Sequence, residues 1–295
     1  MGLLGRTPYR DTAASVGVSR NVFFETMINP SRIDMRVKFA VAVVVMVLSI
    51  AGGAAMCRAE DSRETDEGRA GADAASRTAE EQGGEKVLRH AVFFKFKDGT
   101  SDADIQKVVD AFDALPKKID SIQGYERGKN VSTIGFDDGF THCFLLSFAD
   151  EAGRATYLPH PDHKAFGTTL GPHLDKAFVI DFWSTSEKSP KERQLKHALF
   201  LKFKDGASKA EIKDLEDSLA KLPSQIDTIK ALEWGTNNSP ETHDEGFTHA
   251  FLFTFDDAKG LKTYADAPEH KAVVEKIVSL AEKGRVLDFW TKHKE

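Results

Sequence analysis

Two nearly identical nonapeptides, FTHCFLLSF from Phe140 and FTHAFLFTF from Phe247, lie 107 positions apart in this chain. The same spacing relates LRHAVFFKFKDGTSDADI, which starts at Leu88, to LKHALFLKFKDGASKAEI, which starts at Leu195. It also relates two DFW motifs, and no insertion or deletion is needed between these points. The chain therefore carries a tandem duplication of one domain. Two copies are too few for a solenoid, so we expect them to pair with each other.

Each copy has the residue pattern of a β-α-β-β-α-β unit. Residues 88–97 alternate in polarity with period two, as do the nonapeptides, and this predicts strands. Ser101 and Ser208 precede apolar residues at helical spacing, and we expect Pro116 and Pro223 to end those helices. Further strands are predicted at 124–131, 231–237 and the two segments ending in DFW, with short helices at 150–158, 162–174, 257–265 and 269–282.

This order of elements predicts the fold class. A β-α-β-β-α-β unit is ferredoxin-like, with helices on one side of an antiparallel sheet. Apolar residues occur on both faces of the strands, for example Phe93 and Phe94. The face without helices therefore needs a partner, and the other copy is tethered nearby. We predict an α+β protein whose tandem ferredoxin-like units pair as an internal dimeric α/β barrel.

The residues before the first copy indicate export. Arg36 and Lys38 precede an apolar run from Phe39 to Ala55, and small residues then lead to an expected cleavage after Ala59. A single uncleaved membrane anchor is one alternative, since 17 apolar residues lie at the short limit for a span. A lipid anchor at Cys57 is another. The prediction is an exported protein of the periplasm, the cell envelope or the exterior.

Composition divides the chain into segments. Residues 60–86 are polar, charged and free of aromatic side chains, which is typical of a disordered linker. We predict an unstructured upstream segment at 1–34, a signal peptide at 35–59, the linker at 60–86, and the two repeats at 87–184 and 195–292. The net charge is -6, and residues 1–59 contribute +4 of it, so the remainder is acidic. Such a surface does not favour nucleic acid as a partner.

The motifs of the two copies resemble a known family. The sequence H-A-[VL]-F-x-K-F-K-D, then G-[FY]-T-H, then Y-x-x-x-P-x-H-K, then DFW occurs twice in this order. This set resembles the stress-responsive dimeric α/β barrel domain family over residues 88–184 and 195–291. Members form ferredoxin-like units that pair into barrels, usually as homodimers, and the family includes heat-stable plant proteins and a plant polyketide cyclase.

The resemblance implies candidate catalytic residues. In the cyclase a histidine of the HP-x-H segment is the general base, and a tyrosine six residues earlier assists it. These positions correspond to His163 with Tyr157 in the first copy and to His270 with Tyr264 in the second. A further tyrosine of the cyclase pocket has no hydroxyl counterpart here, because Phe112 and Leu219 occupy its positions. Ala267 also stands in the second copy where the first has His160.

Matched histidines and asparagines form a predicted binding pocket. All ten histidines of the chain follow residue 89, and six of them fall at matched positions. The predicted pocket residues are His90, His142, His197, His249, Asn130 and Asn237. Histidines at a sheet rim are also commonly hydrogen-bonded core residues, and the asparagines are also typical of turns. Asp181 and Asp288 interrupt apolar strands, and a buried carboxylate there needs a partner such as a histidine.

The residues support several functions. We expect binding of a small apolar or aromatic molecule, with a cofactor-free cyclase or isomerase and a structural stability module as the alternatives. Three imidazoles per copy are alternative zinc or copper ligands, but no compact ligand spacing occurs, so no metal site is predicted. Nothing marks a haem ligand, and no cofactor is predicted. The expected partners are a small molecule and the other repeat, with a larger homo-oligomer also open.

Overall fold

The computed structural model describes residues 86–185 and 193–293. The predicted upstream segment and signal peptide, the linker up to residue 85, and residues 186–192 between the repeats lie outside the described residues. In the part that is described, no helix combines the length and the apolar character required to cross a bilayer.

The first half follows the predicted order of elements. Its elements are β1 (Lys86–Phe96), α1 (Asp102–Asp113), a 3-10 turn (Leu115–Lys117), β2 (Gly124–Lys129), β3 (His142–Phe148), α2 (Glu151–Tyr157), α3 (Pro161–Leu170) and β4 (Leu174–Thr185). The Ser101 hydroxyl accepts a hydrogen bond from the backbone N–H of Asp104 and so caps α1, as its position before the apolar periodicity predicted.

The second half repeats this arrangement. Its elements are β5 (Leu195–Phe203), α4 (Lys209–Gln225), β6 (Ile229–Thr236), β7 (His249–Phe255), α5 (Ala258–Asp266), α6 (Pro268–Leu280), β8 (Ala281–Trp290) and β9 (Lys292–His293). Ser208 and Glu211 form a complete capping box at the start of α4.

One predicted helix end is wrong. Pro116 lies in the 3-10 turn that follows α1, as expected, but α4 continues through Pro223 to Gln225. Pro223 lies in the last turn of α4, where its missing N–H removes only one helical hydrogen bond. The backbone N–H of Ile226 still donates to the carbonyl of Leu222 at 2.9 Å, so the turn closes around the proline.

The strands form two antiparallel sheets, one from each half. The first has the strand order β4-β1-β3-β2-β9 and the second has the order β6-β7-β5-β8. β9 is the exception to this division, because it follows the second half and pairs with β2 of the first. The last residues of the chain therefore tie the two halves together by backbone hydrogen bonds.

The two sheets pack face to face. One side of the first sheet carries the helices of its own half, over a core that includes Val92, Phe94 and Phe112. The opposite sides of both sheets share a second core, in which Phe93 and Phe178 meet Phe200 and other residues of the second half. The predicted pairing of the halves into an internal barrel is confirmed.

Both seams of the barrel close through backbone contacts. At one seam the N–H of Val131 donates to the carbonyl of Asp288 at 2.7 Å, and at the other the N–H of Asn238 donates to the carbonyl of Asp181 at 2.8 Å. Gly128 lies so near the first seam that a Cβ there would come within 2.4 Å of the Trp290 carbonyl oxygen. Only glycine permits this close approach of the two backbones.

Candidate functional site

A histidine and an aspartate form a buried pair in the first half. His90 on β1 lies opposite Asp181 on β4, so their side chains share one face of the sheet. The Nδ1 atom of His90 is 2.6 Å from Oδ1 of Asp181. Burial opposes charge on both groups, but their mutual attraction outweighs it, so the pKa of His90 is raised and that of Asp181 is lowered. The pair therefore favours imidazolium and carboxylate.

The second half contains the equivalent pair. His197 on β5 lies opposite Asp288 on β8, and Nδ1 of His197 is 2.6 Å from Oδ1 of Asp288. Burial would raise the pKa of Asp288, but the charge and hydrogen bond of His197 hold it below its usual value. The expectation that each buried aspartate has a histidine partner is thus met in both halves.

A tyrosine and a second histidine lie next to the first pair. Tyr157 ends α2 and His163 lies in the first turn of α3, with their ring centroids 4.2 Å apart. The Nδ1 atom of His163 lies 3.0 Å from the carbonyl oxygen of Leu158. A carbonyl oxygen only accepts, so Nδ1 carries the proton and Nε2 keeps its lone pair. Burial lowers the pKa of His163, which favours this neutral form.

The same arrangement occurs in the second half. The ring centroids of Tyr264 and His270 are 4.2 Å apart, and Nδ1 of His270 lies 3.2 Å from the carbonyl oxygen of Ala265. Burial, assisted by the nearby His197, lowers the pKa of His270 to about 4. His270 is therefore neutral at physiological pH, with its Nε2 lone pair available.

These side chains form two equivalent clusters, and the ring of each tyrosine bridges its two histidines. The centroid of Tyr157 is 5.6 Å from that of His90, and the centroid of Tyr264 is 5.6 Å from that of His197. We call the clusters the first site (His90, Tyr157, His163 and Asp181) and the second site (His197, Tyr264, His270 and Asp288).

The two predicted pocket asparagines anchor each site to the opposite half. The side-chain oxygen of Asn237 accepts a hydrogen bond from the backbone N–H of Asp181 at 3.1 Å. That of Asn130 accepts from the backbone N–H of Asp288, also at 3.1 Å. Both asparagines therefore position the loops that complete the sites across the barrel seams.

The structure places the other two predicted pocket histidines elsewhere. His142 pairs with Phe94 in the sheet, four residues along β1 from His90, which corresponds to about 13 Å. Its ring meets Phe96 edge-on, and burial lowers its pKa to about 4. His249 is the equivalent residue and hydrogen-bonds to Glu216 on α4. Neither joins the cluster of its half.

Two charged residues that contact the first site escaped the sequence analysis. Nη1 of Arg154 is 2.7 Å from Oδ2 of Asp181, and Oε2 of Glu241 faces Nε2 of His90 at 3.9 Å. The positions 107 residues away hold Leu261 in place of Arg154 and Ile134 in place of Glu241. A search for charged residues without a charged counterpart in the other repeat would have found both.

The clusters combine groups suited to proton transfer and to hydrogen bonding. In the first site the raised pKa of His90 favours a donor, whereas the lowered pKa of His163 favours an acceptor. Groups whose environments push their pKa values apart form acid and base partners. Among the described residues no group of three or more His, Cys, Asp or Glu side chains is arranged to hold a metal ion.

Comparison with known proteins agrees with this architecture. Over 99 residues the chain is 33% identical to the stress-response A/B barrel domain-containing protein HS1 of Arabidopsis thaliana, covering 34% of this chain and 91% of that protein. It is 27% identical over 96 residues to olivetolic acid cyclase of Cannabis sativa, covering 32% of this chain and 95% of the cyclase.

A solved structure covers both halves. The crystal structure of an anthrone oxidase-like protein superposes with a TM-score of 0.51 at 11% identity, covering 74% of this chain and 94% of that one. At this identity the likeness concerns the fold alone. The model of the stress responsive A/B barrel domain matches residues 88–184 and again residues 195–291. With most of the two halves matched in this way, the chain belongs to the stress-responsive A/B barrel family and carries two copies of its domain.

Proposed function

We propose that this barrel binds a small apolar or aromatic molecule beside its tyrosine–histidine pairs. The proposal is carried by one observation. In His163 and in His270 the Nδ1 atom is hydrogen-bonded to a backbone carbonyl, so the Nε2 atom keeps a lone pair that can accept a hydrogen bond from a ligand. The side chains in ring contact with His163 are aromatic, namely Tyr157 and Phe166. A few directed polar atoms on an apolar wall are typical of small-molecule sites.

A second candidate function is cofactor-free acid–base catalysis. In the second site a neutral His270 and the His197 that pairs with Asp288 lie on either side of the Tyr264 ring. The imidazole Nε2 would take a proton from the carbon next to a substrate carbonyl, while a donor stabilises the enolate oxygen. The enolate carbon then either attacks a second carbonyl of the same molecule or is reprotonated. The likeness to olivetolic acid cyclase supports this candidate.

The binding proposal is tested with 6-acetyl-2-naphthol, an aromatic ketone whose hydroxyl can donate to the Nε2 lone pair. We expect the purified protein to bind it in a fluorescence titration, and the double variant His163→Ala, His270→Ala to bind at least tenfold more weakly with an unchanged melting temperature. His173→Ala is the matched control, because His173 lies in the turn between α3 and β4 and belongs to neither site. Equal binding by the double variant would contradict the proposal and leave the tyrosine–histidine pairs with a packing role.

The catalytic candidate is tested with the same ketone in D2O. Removal of a methyl proton next to the carbonyl, followed by return of a deuteron from solvent, replaces hydrogen by deuterium without net reaction. We expect the protein to accelerate this exchange, as followed by proton NMR. Tyr157→Phe and Tyr264→Phe together should slow it at least tenfold. Binding without accelerated exchange would leave the first proposal standing and remove the second.

We further propose that the protein is exported and cleaved after Ala59. The basic residues Arg36 and Lys38, the apolar run behind them and the small residues before Glu60 support this. N-terminal sequencing of protein recovered from its native cells would then begin at Glu60. A native N-terminus at Met1 or Met35 would contradict cleavage.

A further inference from the structure

Each site is completed by a loop of the opposite half. The loop after β6 contacts the first site, where the N–H of Asn238 donates to the Asp181 carbonyl at 2.8 Å. The loop after β2 contacts the second site in the same way, through Val131 and Asp288. Because of this exchange, the environment of each site depends on residues from both repeats, and differences between the repeats make the sites unequal.

At three matched positions around the sites, the first site has a polar residue and the second site has an apolar one. In the first site they are Arg154, Asn238 and Glu241. In the second site the positions 107 residues away are Leu261, Val131 and Ile134. Every polar residue of the first set is thus replaced by an apolar one in the second, although the histidines, tyrosine and aspartate are the same.

Two members of the polar set fix the position of the loop at the first site. Nη1 of Arg154 lies 2.7 Å from Oδ2 of Asp181 and 2.9 Å from the side-chain oxygen of Asn238. It also lies 3.1 Å from the carbonyl oxygen of Asn238. Arg154 is buried, so this one side chain fastens the loop of the second half onto the aspartate of the first site.

Glu241 occupies the approach to His90. Its Oε2 atom is buried, has no hydrogen-bond partner among the described residues, and lies 3.9 Å from Nε2 of His90. A ligand oxygen would need to come within about 2.8 Å of that same nitrogen to accept its proton. It would then meet the negative charge of Glu241, which repels an electron-rich oxygen. The first site therefore disfavours a carbonyl ligand unless Glu241 swings away.

The second site has an apolar and more open approach. Val131 and Ile134 are each 49% exposed, and they are two of only three large apolar side chains exposed in the described part of the chain. The side chains of His197 and Asp288 are 10% and 9% accessible, against 2% and 0% for His90 and Asp181. Exposed apolar side chains on the loop that completes a polar cluster suit an apolar ligand.

We propose that the second site is the one that receives an apolar carbonyl compound, and that Glu241 excludes such a compound from the first site. The inference rests on the proposed binding function and assigns that function to one of two otherwise equivalent clusters. Glu241 and Ile134 are its specificity-determining residues, because they occupy matched positions in the two loops, and one carries a charge where the other carries an apolar side chain.

Exchanging these two residues tests the inference. We expect the wild-type protein to bind one equivalent of 6-acetyl-2-naphthol in a calorimetric titration, and His270→Ala, which removes the acceptor for its hydroxyl, to lose at least tenfold in affinity. Glu241→Ile should add a second equivalent, whereas Ile134→Glu should weaken the wild-type site at least tenfold. A protein with both substitutions should again bind one equivalent of the ketone, now at the first site. His173→Ala again serves as the control.

The outcomes separate the inference from the function on which it rests. Two equal equivalents in the wild-type protein, or binding that Ile134→Glu leaves intact, would overturn the assignment while the binding function stands. An unchanged stoichiometry in Glu241→Ile would overturn the exclusion by Glu241. Failure of every variant to bind the ketone would overturn both.

Discussion

Arg285 and Phe178 occupy equivalent positions of the two repeats, and the guanidinium carbon of Arg285 lies 4.3 Å from the centroid of the Phe178 ring. The same repeat position, filled by Phe178 in the first repeat and by Arg285 in the second, therefore contacts itself between the two sheets. Pairing of two second repeats would bring two arginines together, whereas the pairing within one chain places one cation beside aromatic rings. The contact favours the union of unlike repeats.

Replacement of Arg285 separates the ring contacts from the ion pairs. Arg285 is buried over Phe178 and also binds Asp138 and Glu245, whose carboxylates are about a third exposed. We expect Arg285→Ala to lower the free energy of unfolding by about 2–4 kcal/mol, because it opens a cavity and removes the cation. Arg285→Phe should cost less than half as much, since the ring refills the space and water solvates the two carboxylates. Urea denaturation measures both, and equal costs would show that the ion pairs dominate.

The barrel interior also contains two buried cations and two buried carboxylates, and one carboxylate lies closer to the cations than the other. Glu233 contacts Arg89 at 2.5 Å and Lys196 at 3.5 Å, whereas the equivalent Glu126 lies 3.8 Å and 3.9 Å from the same two cations. All four side chains are buried. We expect Glu233→Gln to destabilise the fold by about 3–5 kcal/mol, because it leaves buried cations without their nearest anion. Glu126→Gln is the matched control and should cost clearly less in the same denaturation experiment. A reversed order would contradict this account.

Stability should rise with pH between about 4 and 6.5. Burial lowers the pKa of His142 and His270 to about 4, whereas an unfolded histidine titrates near 6.5. In this window the unfolded state binds protons that the folded state does not, so each group adds up to about 1.4 kcal/mol per pH unit. The raised pKa of His90 affects stability above this pH window, where it makes stability fall as the pH rises.

The variant His142→Phe isolates one of these contributions. Its ring can keep the edge-on contact with Phe96 while the titrating group is removed. Urea unfolding at several pH values between 4 and 6.5 should show a shallower pH dependence of stability than in the wild-type protein. Thr168→Ala, an exposed change that removes no titrating group, should retain the full slope. A slope unchanged in His142→Phe would show that the His142 imidazole titrates normally in the fold.

The His90–Asp181 pair predicts a titration shift. The charge and hydrogen bond of Asp181 raise the pKa of His90 against the effect of burial. We expect Asp181→Asn to lower that pKa, as followed by NMR titration of the imidazole Cε1 protons. The stability that the pair supplies is present below pH 6.5 and is lost as the pH rises through the folded pKa of His90. Asp175→Asn, on the exposed end of β4 near Lys95, should leave the His90 titration in place.

Several features of the fold could be predicted because they depend on local or repeated patterns. The period-two segments became strands, Ser101 and Ser208 became helix caps, and apolar residues on both strand faces led to the paired sheets. The buried aspartates needed a partner, and the sheet register supplied His90 and His197. These expectations held because burial and hydrogen-bond satisfaction act on each segment regardless of distant detail.

Other expectations depended on distances along a strand or between segments. His142 shares the strand face of His90 but pairs four residues away from it, so equal polarity did not mean a shared site. Pro223 was expected to end α4, but its place in the last helical turn allowed the helix to continue.

The sequence by itself determined that two equivalent ferredoxin-like units exist and that their bare faces must meet, because a duplicated pattern with apolar residues on both strand faces has few other ways to exclude water. Only the tertiary structure decided that each site is closed by a loop of the opposite repeat. It thereby brought Glu241 to His90 and Arg154 to Asn238. Such contacts join residues far apart in the chain, and no periodicity of the sequence encodes them.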